Sequence, residues 1–184
     1  MRIRNKRDEL LVAGAVYTII RVMGEHGDFN LYVVVCEGKK YVLKEFRGAD
    51  SFWACIKCHE ILEKTEIAIP ELITFDEQIY TCVEQYISGI QASDYIMQGN
   101  LDSCYLDMVK IMADCCEKQG IALNYYPTKF IVHRNTLVYV GCECYELTGD
   151  NCYEKKGLIF WMNALALIEG FVTERMKAIS TKTE

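Results

Sequence analysis

Residues 15–46 read AVYTIIRVMGEHGDFNLYVVVCEGKKYVLKEF, and this stretch decides the fold. β-Branched and aromatic residues fill three runs, Val16 to Val22, Leu31 to Val35 and Tyr41 to Phe46. Between them lie Gly24 to Asn30 and Gly38-Lys39-Lys40, whose glycines suit tight reversals. The pattern predicts an antiparallel meander of three strands.

Working outward, Phe52, Cys55, Ile56, His59 and Leu62 recur on one face of a predicted helix from about Ala49 to Lys64. Two short strands follow, Glu71 to Phe75 and Ile79 to Val83, around an Asp76-Glu77 turn. After Gly89 the period changes. Leu101, Cys104, Tyr105, Met108, Ile111, Met112 and Cys115 fall at helical spacing, with Asn100 as N-cap and Gly120 as the stop. Lys129 to His133 and Leu137 to Cys142 flank Arg134-Asn135-Thr136 as a hairpin. A last helix is predicted from about Tyr153 to Ala178. Between Leu158 and Ile168 only Asn163 is strongly polar, so this helix is expected to be enclosed by protein. The order gives an α+β chain with five antiparallel strands and one helix, then a mostly helical half.

The composition fits this plan and excludes others. The chain has 184 residues, 51% hydrophobic and 25% charged, which rules out disorder, collagen and coiled coil. A net charge of −6 speaks against nucleic acid as a partner, and the basic run Arg2, Arg4, Lys6 and Arg7 reads as a solvated end. No run approaches the roughly 18 apolar residues of a membrane span, and the start lacks the apolar core of a secretory signal. A cytoplasmic protein without membrane contact is expected. In that compartment the ten cysteines are not expected to form disulfides. Cys55, Cys58 and His59 form the tightest metal-like set, but the sequence offers them no partner, so the cysteines read mainly as core.

Strand, glycine-containing turn, strand, strand ending in Val42-Leu43-Lys44, helix, two strands, helical half: this order resembles the protein-kinase-like superfamily. The sequence resembles its small atypical bacterial members, which also look like RIO kinases and aminoglycoside phosphotransferases. The resemblance implies a two-lobed protein-kinase-like fold with an N-lobe over residues 1–88 and a reduced C-lobe over 89–184. It implies that Lys44 holds the α and β phosphates of ATP. Gly24 and Gly27 take the place of the glycine-rich loop, and Glu84, Gln85 and Tyr86 that of the hinge that binds adenine. The helical glutamate that pairs with the lysine falls on Cys55 by alignment to Ile69-Pro70. Glu60 lies five positions on, about 140° around the helix, and Glu63 sits at the edge of the inward stripe; both stay open as substitutes.

Asn124-Tyr125-Tyr126-Pro127-Thr128-Lys129 matches the spacing of the family's catalytic loop, with Asn124 in place of the aspartate base and Lys129 in place of the metal-binding asparagine. Gly141, twelve residues beyond Lys129, stands where the metal-chelating aspartate belongs. An amide is no general base, glycine offers no ligand, and a lysine puts positive charge where magnesium would bind. Three functions are therefore expected in order. The first is a catalytically degenerate pseudokinase that binds a nucleotide weakly or serves as a regulatory module for a protein partner. The second is an atypical ATP-dependent phosphotransferase using Lys44, with Glu143 as metal ligand assisted by Asp150 or Asn124. The third is a partner-binding module without nucleotide. ATP is the one cofactor the resemblance suggests, and the three substitutions argue against magnesium. The short stretch between Gly141 and Cys152 leaves little room for an activation segment.

Overall fold

A computed structural model describes residues 8–99 and 103–162. It forms two compact units, one holding residues 8–63 and 69–87, the other residues 64–68, 88–99 and 103–162. Among the described residues no helix is long and apolar enough to cross a membrane.

The first unit is a six-stranded antiparallel sheet with one helix. Its strands are β1 (Glu9–Val12), β2 (Ala15–His26), β3 (Phe29–Cys36), β4 (Lys39–Phe46), β5 (Leu72–Asp76) and β6 (Thr81–Gln85), in the order β1-β2-β3-β4-β6-β5. The sequence suggests five strands; β1 is the sixth. It has only four residues, too few to show alternation, and is joined to β2 by Ala13-Gly14, both at positive φ. Val12 nevertheless enters the core with Tyr17, Tyr32, Val34, Leu43 and Val83. The reversal expected over Gly24 to Asn30 is also tighter. Gly24 pairs with Leu31 and His26 with Phe29, so only Gly27 and Asp28 turn, and register shifts between Ile19 and Arg21 and between Val22 and Gly24 absorb the rest.

Helix α1 (Ala49–Leu62) follows β4 and buries Phe52, Cys55, Ile56, Cys58, His59 and Leu62. All five residues of the predicted stripe face inward. Phe52 meets Phe46 of β4 edge-on, with ring centres 5.9 Å apart. His59 is fixed by its backbone partner: Nε2 donates to the Pro70 carbonyl at 2.7 Å, and Nδ1 lies 3.3 Å from Glu63.

The second unit contains β7 (Ile90–Gln91), α2 (Ala92–Met97), α3 (Ser103–Glu117), β8 (Ile121–Leu123), β9 (Phe130–His133), β10 (Thr136–Tyr139) and β11 (Cys144–Glu146). β10-β9-β7 form one small sheet and β11-β8 another. β7, α2, β8 and β11 are too short to carry a period of their own. The β9–β10 hairpin turns on two residues rather than three: Arg134 and Asn135 both have positive φ, and Thr136 already pairs with His133. In α3 the buried set is Tyr105, Val109, Met112, Ala113 and Cys116, so the stripe is rotated from the predicted one and leaves Cys104 and Ile111 exposed. An apolar residue on each side of the true stripe made both choices compatible with the period. The helix ends at Glu117 and a turn carries the chain through the predicted stop, Gly120, at φ 74°; its predicted N-cap Asn100 lies outside the described residues.

The predicted last helix begins as a π-helical turn, Tyr153–Gly157, and residues 158–162 continue as α-helix. One face is buried, through Tyr153, Gly157 and Trp161, while Leu158, Ile159 and Met162 are exposed. Over these residues the helix is not enclosed on all sides; the rest of the predicted span, with Asn163, lies outside the described residues. Trp161 anchors it, donating Nε1–H to the Tyr125 carbonyl at 2.9 Å and packing on Phe130 at 5.4 Å.

Candidate functional site

Two clusters gather the residues that the sequence singles out, one in each unit. In the first unit Lys44 sits on β4 beside β6, where it pairs in register with Cys82 while Val42 pairs with Glu84. Residues two apart on a strand share a face, so Lys44, Cys82 and Glu84 come together on one face of the sheet. Lys44 Nζ donates to Glu84 Oε1 at 2.6 Å, and both side chains are almost fully buried, 5% and 6% exposed.

This pairing answers which carboxylate serves Lys44. Glu60 of α1 and Glu63, which caps the helix C-terminus, are both exposed to solvent. Cys55 is buried at the aligned helical position, and its Sγ lies in a cluster with Cys82 Sγ and a Glu84 carboxylate oxygen, all within 4.8 Å of one another. The carboxylate on Lys44 is thus that of a strand glutamate, not of Glu60 or Glu63. The signal was present in Thr81-Cys82-Val83-Glu84, a buried strand that carries one acid, but the acid also fitted the end-of-strand hinge position.

Of the other residues matched to nucleotide contacts, Gln85 and Gly24 belong to strands, Gly27 to a turn, and Tyr86 follows β6. Gln85 donates its N–H to the Glu71 carbonyl at 2.8 Å and accepts from the Glu71 N–H at 3.4 Å. The Lys40 ammonium lies 5.8 Å from the centre of the Tyr86 ring. Gly24 is a strand residue, and Gly27, φ 40°, belongs to the two-residue turn.

The second unit brings Asn124, Lys129 and Glu143 together. Asn124 directly follows β8, and Pro127 starts a 3₁₀ turn that ends at Lys129. Asn124 Nδ2 donates to Glu143 Oε2, Tyr145 Oη donates to the same oxygen at 3.3 Å, and Lys129 Nζ lies 3.7 Å from Glu143 Oε1. Burial, with the Glu143 charge as the next cause, holds the Tyr145 phenol above its ordinary pKa. One carboxylate is therefore surrounded by an amide, a phenol and an ammonium, and the ion pair formed with Lys129 carries no net charge. Magnesium is ordinarily held by one or two carboxylates among oxygen ligands. Asp150, the other acid weighed for that role, is exposed and paired with Lys155 at 3.3 Å.

Gly141 is fixed by its neighbour. A Cβ there would lie 2.3 Å from Tyr139 Oη and 2.4 Å from its Cζ. The Tyr139 ring is fully buried, packs on Phe130 at 5.2 Å, and is pinned at its tip. Its hydroxyl donates to the Glu143 carbonyl at 2.6 Å and accepts from the Asn124 N–H at 3.3 Å. Sequence reading marked Gly141 as a lost aspartate and missed the tyrosine that fills the space. Tyr139 and Gly141 are two residues apart, a spacing that hinted at a shared face.

No protein-family model matches the chain, and no curated protein matches it. Among solved structures it is similar to the crystal structure of the BubR1 kinase domain, with a TM-score of 0.53 at 16% sequence identity. The match covers 77% of this chain and 50% of that chain, so the present chain spans about half the length of the kinase domain. The likeness shows a protein-kinase-like fold.

Proposed function

We propose that the chain is a catalytically degenerate, cytoplasmic kinase-like protein that binds rather than phosphorylates, related to the small bacterial proteins that look like RIO kinases and aminoglycoside phosphotransferases. The observation that carries this reading is Tyr139, whose phenol takes the space a metal-chelating side chain at Gly141 would need. Two features support it. Asn124 lacks the basicity of a carboxylate, and Lys129 neutralises Glu143, the acid that Asn124 contacts. A general base alone is worth roughly a hundredfold or more in rate, so losing it together with the metal costs several kcal/mol of barrier lowering.

Nucleotide binding in this reading belongs to the first unit, through Lys44, Gly24, Gly27, Gln85 and Tyr86. It is weak, because a phosphate must compete with a buried carboxylate 2.6 Å from the Lys44 ammonium. It is also indifferent to magnesium. The expected result is a small thermal stabilisation by ATP that magnesium leaves unchanged, with no release of phosphate. Magnesium-dependent ATP consumption abolished by Lys44→Ala overturns the proposal.

A second reading, an atypical phosphotransferase, draws on the contact between Asn124 and Glu143, which sets two oxygen-bearing side chains side by side. It requires magnesium to strengthen ATP binding and Glu143→Ala to remove that effect. If ATP stabilises the protein under neither condition, a partner-binding module without nucleotide is the remaining reading.

A further inference from the structure

The buried cluster beneath α1 has more chemistry than a lysine–glutamate pair uses. Cys55 of α1, Cys82 of β6 and Glu84 of β6 are 3%, 0% and 4% exposed, and their ligand atoms lie within 4.8 Å of one another. We propose that Cys55, Cys82 and Glu84 form a binding site for a borderline-soft divalent cation, of which Zn²⁺ is the type, clamping α1 to the sheet. This inference does not rest on nucleotide binding.

Ligand type selects the metal. Two thiolates and one carboxylate are a tetrahedral zinc set, whereas magnesium and calcium prefer oxygen alone. Zinc–sulfur bonds of about 2.3 Å place two sulfurs about 3.8 Å apart in a tetrahedron. The three ligand atoms, already within 4.8 Å, need to close by no more than about 1 Å. The fourth position is left to a water, which adds no charge.

The charges also favour it. Zinc with two thiolates and one carboxylate carries a single negative charge, and the Lys44 ammonium, 2.6 Å from Glu84 Oε1, cancels that charge. The thiols give up two protons to solvent as the ion enters, so a neutral pair with neutral thiols becomes a neutral metal cluster. A neutral product matters because a net charge this deeply buried would be costly. Lys44 then acts as an outer partner that orients the glutamate, a task usually given to hydrogen bonds around metal ligands. Cys58 and His59, the neighbours that looked like ligands in the sequence, stand outside this set; His59 is taken by Pro70 and Glu63.

The test uses the full chain refolded from metal-free denaturant with Co²⁺, because a buried site loads most readily during folding. Expected are one Co²⁺ per chain, the near-ultraviolet absorption of cobalt–thiolate bonds, and its loss on adding Zn²⁺. Cys55→Ala and Cys82→Ala abolish the signal, Glu84→Gln lowers the affinity for Co²⁺, and Cys104→Ala changes nothing. Should the cysteine variants fail to fold, alkylation of the wild-type chain in urea near its unfolding midpoint, with and without one equivalent of Zn²⁺, decides: Cys55 and Cys82 are protected together only when the metal is present. Substoichiometric Co²⁺, retention of the signal in Cys82→Ala, protection of other thiols instead, or a Cys55–Cys82 disulfide that excludes metal each overturns the proposal.

Discussion

Adding one methyl group at Gly141 tests the central steric claim. Gly141 is not among the residues with positive φ, so alanine there meets no backbone penalty and the cost is contact alone. The new Cβ would approach Tyr139 Oη to 2.3 Å and Cζ to 2.4 Å, far inside van der Waals distance. The ring cannot swing away freely because it is fully buried against Phe130 and held by hydrogen bonds to Glu143 and Asn124. Overpacking of this kind costs about 1–3 kcal/mol. Displacing the phenol also sacrifices two hydrogen bonds, each worth about 0.5–1.5 kcal/mol. Gly141→Ala is therefore expected to destabilise the second unit by about 2–6 kcal/mol. Urea unfolding followed by Trp161 fluorescence in a Trp53→Phe background reads that unit, since the chain has only two tryptophans. In a Tyr139→Leu background, which removes the colliding atoms, the same substitution should cost less than about 1 kcal/mol, giving a large coupling in the double-mutant cycle. Equal costs in both backgrounds, or a Gly141→Ala cost under about 0.5 kcal/mol, refute the reasoning. So does magnesium-dependent ATP consumption regained by Asn124→Asp, Lys129→Asn and Gly141→Asp together with Tyr139 in place.

Two further outcomes follow from buried groups. In chelator-treated protein, Glu84→Gln removes the carboxylate that faces the Lys44 ammonium and should destabilise the first unit by about 3–5 kcal/mol, whereas Lys44→Met with Glu84→Gln recovers most of that loss; a double variant no better than the single one contradicts a buried pair. Burial, followed by the nearby Cys115, pushes the Cys116 thiol up to about 12 from its ordinary 9.0. Below pH 9 folded and unfolded chains both keep the proton, and above it the unfolded chain loses it first, so this contribution disappears as pH rises from about 9 to about 12. Cys116→Ala should flatten the decline in that window by up to about 1.4 kcal/mol per pH unit, measured by urea unfolding at several pH values; identical slopes would sink the assignment. Tyr125, also raised by burial, adds to the decline in both proteins.

The fold was legible where hydrophobic period and turn chemistry agreed over long stretches. The β2–β3–β4 meander and the inward face of α1 are such places, because a strand repeats every second residue and a helix at three and four. Legibility failed for short elements. β7, β8 and β11 owe their form to pairing partners far along the chain, β1 is only four residues long, and α3 turned slightly because tertiary packing chose between two apolar faces. The candidate site was read in part. Asn124, Lys129 and Glu143 could be named from spacing, but their mutual contact depends on β8 pairing with β11, which the local sequence does not encode.

What the sequence determined by itself is the class of fold and the chemistry each side chain can offer: an amide at Asn124, an ammonium at Lys129 and no side chain at Gly141, whatever surrounds them. The structure alone decided what those residues touch. Lys44 meets Glu84 rather than a helical acid because β4 and β6 are paired in a register that places them diagonally on one face, forty residues apart. The space beside Gly141 is filled because Tyr139 is locked by Phe130 and two hydrogen bonds. Cys55 and Cys82, distant in sequence, become neighbours because α1 lies over that same face of the sheet. Residue identity is local, but contact is set by chain pairing over long range, so function-bearing geometry emerged only in three dimensions.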